Sequence, residues 1–138
     1  MFDTSESGFE ELSHTADWQL RVWAPSLPEL FAAAARGMNA LSGAKPAPGP
    51  RVTRHFEAEA PEAESLLVAF LSELVWIAEQ EKLVFDAFKV VLKDSKLKVR
   101  MSGSHILSVD KSIKAVTFHN LQIQKTVAGF QVEIVFDV

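Results

Sequence analysis

The segment PEAESLLVAFLSELVWIAEQEK, residues 61–82, decides the fold because it predicts the helix around which the core is built. Pro61 suits a first helical turn, and the acidic residues Glu62 and Glu64 complement the positive N-terminal end of the helix dipole. The apolar side chains recur every three or four residues, as on one face of an α-helix: Leu66, Leu67, Phe70, Leu71, Leu74, Val75 and Ala78. Burial stabilises the fold by about 1.5–3 kcal/mol for each such side chain. We therefore predict that this helix anchors the core.

The residues that follow this helix are predicted to form a hairpin. Residues 83–93, LVFDAFKVVLK, and residues 96–103, KLKVRMSG, are strand-like segments separated by two turn residues. Lysines are locally dense only here, in residues 89–100, and we interpret them as the solvated side of the hairpin rather than a track for phosphates. Residues 103–112, GSHILSVDKS, are predicted to be a loop.

A second helix is predicted nearer the start of the chain. Ser26 is a good N-cap, Glu29 can complete a capping box, and Gly43 is placed to end the helix. The Pro- and Gly-rich residues 43–51 then connect it to a strand predicted at residues 52–60.

The remaining segments complete a mixed pattern of strands and helices. Strands are predicted at residues 8–13, 17–24, 112–125 and 129–138. Strands grouped around two helices, without regular alternation of strand and helix, indicate the α+β class. We predict one domain over residues 1–138, a two-layer fold in which two main helices cover a mixed or antiparallel β-sheet.

The composition restricts the class of protein. The chain has 138 residues, of which 48% are apolar and 23% charged, as in a folded globular domain. It contains no Cys, which excludes disulfides, thiolate nucleophiles and zinc ribbons. No apolar run approaches the roughly 20 residues of a membrane span. The formal net charge of −4 argues against strong direct binding of nucleic acid. We expect a cytoplasmic protein that does not bind membranes.

Two carboxylates stand at the ends of predicted strands. Asp17 begins one strand and Asp137 ends another, each on the polar side. If these strands are neighbours, the two carboxylates meet at one rim of the sheet. At a separation of about 4 Å and an effective dielectric constant of about 20, their repulsion energy is about 4 kcal/mol. A raised pKa, a cationic side chain or a bound cation would relieve that repulsion. Carboxylate and carbonyl oxygens bind hard ions such as Ca²⁺, Mg²⁺ or Mn²⁺, and the carbonyl or carboxylate of Val138 would be within reach.

Three further polar residues are candidates for the same region. Lys114 lies among apolar strand residues, where a Lys is either an edge residue or a cation that contacts a phosphate or orients a carboxylate. His14 belongs either to a capped turn in SHTAD, residues 13–17, or to the surroundings of Asp17. His119 fits either a hydrogen-bonded structural histidine or an outer contact of the rim.

The motifs of a self-sufficient enzyme are missing from the sequence. There is no GxGxxG or Walker loop after a strand, no GxSxG elbow and no HExxH. These absences disfavour a self-sufficient enzyme, and we assign no catalytic residue.

Four segments in order resemble the archease family: HTADWQLRV, ESLLVAFLSELVWIAE, KAVTFHNLQI and the closing VFDV. The resemblance extends from about Glu10 to Val138. The sequence departs from the family pattern at Phe118, where Tyr is common, and at Ser112 and Ile113, where an acidic residue or Thr is frequent.

The resemblance implies an activator of the RtcB-type RNA ligase in tRNA splicing and RNA repair. Archeases are understood to promote guanylylation of the active-site His of that ligase and so to allow multiple turnover; GTP and RNA are bound by the ligase. Carried over, the divalent-metal ligands are Asp17, Asp137 and Val138, and the functionally important lysine is Lys114. The ion expected is Ca²⁺ in the isolated protein and Mg²⁺ or Mn²⁺ in the working complex.

Two alternatives belong to other classes of function. One is a chaperone-like adaptor that modulates the oligomerisation of a partner. The other is a stand-alone metal-dependent hydrolase, which would need turnover by the isolated protein.

Overall fold

The computed structural model describes residues 6–12 and 18–138. The helices there are α1 (Leu27–Ser42) and α2 (Ala63–Glu81). The strands there are β1 (Gly8–Leu12), β2 (Trp18–Ala24), β3 (Lys45–Pro46), β4 (Val52–Glu59), β5 (Leu83–Lys93), β6 (Lys96–Ser108), β7 (Ala115–Thr117), β8 (Gln124–Thr126) and β9 (Gly129–Asp137). In this part of the chain no helix is long and apolar enough to cross a membrane.

The strands form two antiparallel sheets. The first has the order β1-β2-β9-β7, and β8 also pairs with β9. The second has the order β3-β6-β4, and β5 also pairs with β6. The α+β class and the two main helices are thus confirmed. The prediction of one sheet was incomplete, because the long strand β6 organises a second sheet of its own.

Helix α1 begins and ends as its sequence predicts. The Ser26 hydroxyl accepts a hydrogen bond from the Glu29 backbone N–H at 3.3 Å, and it lies 3.2 Å from the Glu29 carboxylate. Gly43 at the C-terminus has φ 69°, a left-handed conformation that suits glycine. Helix α2 ends differently, with Lys82 in the left-handed region at φ 56°.

The core lies between the helices and both sheets, and Phe70 is at its centre. The ring of Phe70 on α2 is fully buried and lies 6.4 Å from the ring of Phe31 on α1. It also contacts Phe56 on β4 at 6.3 Å and, edge to face, Phe88 on β5 at 5.9 Å. One side chain therefore joins α2 to the other helix and to two strands of the second sheet.

Two bidentate ion pairs connect β4 and the residue before it to other elements, one to the end of α2 and one to β5. Arg54 donates to both carboxylate oxygens of Glu81, at 3.0 and 2.6 Å, and ties the strand to the end of α2. Arg51 pairs in the same way with Asp86 on β5, at 3.2 and 2.6 Å. The guanidinium hydrogen bonds hold the pKa of Glu81 and of Asp86 below the usual range.

Residues 103–112 are not simply a loop, because β6 continues to Ser108. Gly103 and Ser104 are poor strand formers, which explains the error. Gly103 is needed at this position, since a Cβ there would collide with the carbonyl oxygen of Val84 on the adjacent strand. The hydroxyl of Ser104 donates to the carbonyl of Ala47 at 2.7 Å and fixes the continuation of the strand.

The predicted strand at residues 112–125 is shorter and divided. Only Ala115–Thr117 and Gln124–Thr126 are extended and paired. A turn interrupts them, in which the Leu121 N–H donates to the Phe118 carbonyl at 3.1 Å and Asn120 has φ 52°. The alternating polar and apolar residues there do not reveal this turn.

Substitution of Phe70 tests its central place in the core. Phe70→Ala should lower the free energy of unfolding by about 3–5 kcal/mol, because it leaves a cavity where four aromatic rings meet. Phe118→Ala is the matched control, since that side chain is 61% exposed and its loss should cost less than about 0.5 kcal/mol. Urea unfolding measures both. Equal losses for the two variants would contradict the central role of Phe70.

Candidate metal and phosphate site at the sheet rim

Asp137 is held at the end of the middle strand of the first sheet. On one side β9 pairs with β2, with Trp18 opposite Phe136. On the other side it pairs with β7, with Ala115 opposite Asp137. The Asp137 side chain is exposed, as expected for the polar side of a strand end. Its carboxylate is thus available to a ligand on the rim.

Lys114 is positioned by the backbone of Asp137. The Lys114 N–H donates to the Asp137 carbonyl at 2.8 Å, which extends the pairing of β7 and β9 by one residue. The side chain of Lys114 is exposed. Two of the residues predicted from the sequence, remote in the chain, therefore lie side by side.

Asp17 and His14 lie outside the described residues. Trp18, the residue after Asp17, pairs with Phe136, the residue before Asp137. The strand that follows Asp17 in the chain and the strand that ends at Asp137 are accordingly antiparallel neighbours, which was the condition for the two carboxylates to meet.

The described rim residues fit a hard cation in donor chemistry but do not form a complete site. Asp137 has an exposed carboxylate, and Val138 beside it has a carbonyl oxygen; both are oxygen ligands that suit Ca²⁺, Mg²⁺ or Mn²⁺. Within residues 6–12 and 18–138 there is no group of three His, Asp or Glu side chains that could hold a metal.

Lys111 is a rim residue that the sequence analysis missed. Its Nζ lies 5.4 Å from the centre of the Trp18 ring, which is a cation–π contact. This contact brings a second ammonium group to the start of β2, on the loop that also leads to Lys114. No sequence signal identifies it, because Trp18 and Lys111 meet only when the sheet has formed.

A cavity of about 540 Å³ opens next to the rim, and Lys114 is part of its wall. Its apolar wall comes from both helices, from β5 and β6 and from the loop before β7: Met38, Leu74, Val75, Ala78, Leu83, Val84, Phe85, Ile106, Val109 and Ile113. Glu79 and Lys82 are charged residues in the same wall. Lys114 therefore links an apolar cavity to the carboxylate rim, an arrangement that the sequence analysis did not predict.

His119 makes its described contacts within its own turn. Its backbone N–H donates to the Thr117 hydroxyl at 3.2 Å, and its ring Nε2 lies 3.2 Å from Nδ2 of Asn120. Neither contact involves a residue of the proposed metal site, and both interpretations of this histidine stay predictions.

Comparisons with known proteins agree with this architecture. The model of the Archease protein family matches residues 9–138. Protein archease of Methanosarcina barkeri is 31% identical over 140 residues, covering 94% of this chain and 95% of the relative. The solution structure of Methanobacterium thermoautotrophicum protein 1598 superposes with a TM-score of 0.70 at 24% identity, over 95% of this chain and 99% of the other. The crystal structure of a Thermotoga maritima archease, described as a possible chaperone, gives 0.69 at 18% identity, over 94% and 96%.

The rim residues should be dispensable for folding. Asp137→Asn and Lys114→Gln should each change the free energy of unfolding by less than about 0.5 kcal/mol, because both side chains are exposed and neither makes an ion pair within the described residues. Arg54→Gln should destabilise more than either, because it removes the bidentate pair with Glu81. Thermal unfolding of the three variants tests this. A marked loss of stability for the rim variants would show that they have a structural role.

Proposed function

The chain belongs to the archease family, and from this we propose that it is an accessory protein that activates an RtcB-type RNA ligase. In this proposal the protein promotes guanylylation of the ligase's active-site His by GTP, and so permits multiple turnover in tRNA splicing and RNA repair. The observation that carries the proposal is the 2.8 Å backbone hydrogen bond from the Lys114 N–H to the Asp137 carbonyl, which places the main chains of these two exposed residues side by side at one rim of the sheet.

The proposed metal ligands are Asp17, Asp137 and the carbonyl oxygen of Val138. The described part of this set supports it chemically, since all the donors are oxygens at or next to the end of β9. A bound divalent ion would neutralise charge on the nucleotide triphosphate. We propose Ca²⁺ for the isolated protein and Mg²⁺ or Mn²⁺ for the complex with the ligase.

The lysines of the rim would interact with the negative phosphate charge that the metal ion does not neutralise. Lys114 would contact a phosphate group of the nucleotide held by the ligase, and its backbone hydrogen bond fixes where its side chain starts. Lys111, held over Trp18, would add a second positive charge to the same edge. Positive groups fixed in advance stabilise the charge that develops on a leaving pyrophosphate without reorganisation.

A chaperone-like adaptor is the second candidate. The relative from Thermotoga maritima is described as a possible chaperone. Trp76 on α2 is 55% exposed and is a suitable aromatic anchor for a protein partner. An adaptor of this kind would act without a metal, so that a chelator separates the two candidates.

Ligase turnover tests the main proposal. A small amount of this protein, added to an RtcB-type ligase from the same source with GTP, Mn²⁺ and RNA, should convert single-turnover ligation to multiple turnover. Asp137→Asn should reduce this activation by about 10²-fold, as expected when one preorganised electrostatic group is removed.

Asp94→Asn is the matched control for that experiment. Asp94 lies at the tip of the β5–β6 turn with φ 52°, a conformation that Asn tolerates, and the substitution removes the same charge. It should activate like the wild type. Full activation by a folded Asp137→Asn protein would exclude the proposed role of the rim.

Metal binding can be measured without the ligase. The free Mn²⁺ signal in electron paramagnetic resonance should fall when the wild-type protein is added and recover with a chelator. Asp17→Asn and Asp137→Asn should each weaken binding by about tenfold or more, because each removes one of two carboxylates. Asp94→Asn should bind Mn²⁺ normally. Identical binding by all four proteins would place the cation away from the rim.

A further inference from the structure

The second sheet has one face against which neither α1 nor α2, the helices of the described residues, is packed. On β4, β5 and β6 the residues alternate between partly or fully buried and exposed, so every second side chain points to solvent. We call the exposed cations of β5 and β6 on this side the basic face, and they are Lys89, Lys93, Lys96, Lys98 and Arg100.

Strand register brings these cations into direct opposition. Arg100 lies opposite Lys89, and Lys96 lies opposite Lys93, in the pairing of β5 with β6. On the other side of Arg100 the residue opposite is His55 of β4. Like charges directly opposite in a sheet destabilise it. The fold therefore keeps two repulsive pairs where a neutral or acidic partner would be more stable.

Three acidic groups offset part of this charge. On β4, Glu57 lies directly opposite Lys98 and Glu59 directly opposite Lys96, and Asp94 lies in the turn. Of the five cations of the basic face, only Lys98 has an ion pair among the described residues, a loose one of 3.8 Å with Glu57. The excess of positive charge therefore lies along β5 and at Arg100.

The spacing of the charges is regular. Lys96, Lys98 and Arg100 follow one another at every second position of β6, hence about 6.8 Å apart, and the rows of β5 and β6 are about 4.8 Å apart. A regular array of cations at these distances matches a flexible chain of evenly repeated negative charges better than a single anion.

The composition of the face favours a nucleic acid over a protein. Protein interfaces are enriched in aromatic residues and depleted in Lys, whereas this face has four lysines and, as its apolar member on β5, Val91. Contacts to nucleic-acid phosphates come chiefly from Lys and Arg. Among the described residues of these three strands, the aromatic ring that this face offers for stacking is the imidazole of His55, opposite Arg100.

We propose that the basic face binds the phosphodiester backbone of single-stranded RNA without sequence preference. The binding is weak, with a Kd of about 10⁻⁴–10⁻⁶ M as in other non-specific complexes, and its affinity falls steeply as the salt concentration rises. It is separate from the carboxylate rim and does not depend on activation of a ligase.

The test measures the fluorescence anisotropy of a labelled, mixed-sequence RNA of about 20 nucleotides at several salt concentrations. For five neutralised phosphates the slope of log affinity against log salt should be about −3.5. Two double variants remove the opposed pairs: Lys89→Gln/Arg100→Gln and Lys93→Gln/Lys96→Gln. Each should bring the slope closer to zero by about 1.4 and lower the affinity for RNA at low salt by at least about tenfold.

Lys45→Gln/Lys125→Gln is the matched control, because it removes two exposed lysines elsewhere, on β3 and β8. It should bind RNA like the wild type. The basic-face variants should have thermal midpoints no lower than the wild type, since repulsion is relieved. Equal losses in the control and in the basic-face variants would show that only net charge matters and overturn the proposal. Tighter binding of a poly-glutamate of the same charge would also overturn it, in favour of an acidic protein partner.

Discussion

Strand β9 forms hydrogen bonds with β2 on one side and with β7 on the other, and the first sheet depends on this double pairing. Its inner residues Val132, Ile134 and Phe136 are buried, so that the strand is fixed by apolar burial and by backbone bonds together. The residues it joins are far apart in the chain. Bringing these residues together lowers the conformational entropy of the chain, and only the interactions of the completed sheet compensate for that loss. The rim therefore exists only as a product of the whole fold.

Much of this fold follows from local patterns. The spacing of apolar residues in α2 and the cap at Ser26 determine the helices almost to the residue. Alternation likewise identifies the β5–β6 hairpin. Local patterns mispredict a conformation when its cause is a residue distant in the sequence. At Gly103 the strand continues because only glycine allows the Val84 carbonyl to approach so closely, and no residue near Gly103 in the sequence indicates that approach.

The candidate site, like the fold, was predictable only in part. The positions of Asp137 and Lys114 were predictable, one from its place at a strand end and both from resemblance to a family, and a backbone hydrogen bond holds the two residues side by side. Lys111 and the cavity of about 540 Å³ were not, because each is made by elements that meet only after folding. The lysines of residues 89–100 were interpreted as the solvated side of a hairpin rather than a track for phosphates; they are exposed, but the proposal that the basic face binds RNA departs from the second part of that interpretation. What the sequence could not show was the register that sets them against one another.

The position of β5 gives those lysines a further consequence. In the part of the chain that the structure describes, β5 has a strand partner on one side only, and on β5 the Phe85 carbonyl instead accepts a hydrogen bond from Asn39 Nδ2 of α1 at 2.7 Å. Such an edge is a template for a strand of another molecule, and charged residues on it discourage that addition. The irregularity between Phe85 and Ala87 adds a local kink to the same edge. Acetylation of Lys89 and Lys93 would then leave an edge rich in Val and Leu without its electrostatic protection, and the protein would become prone to self-association.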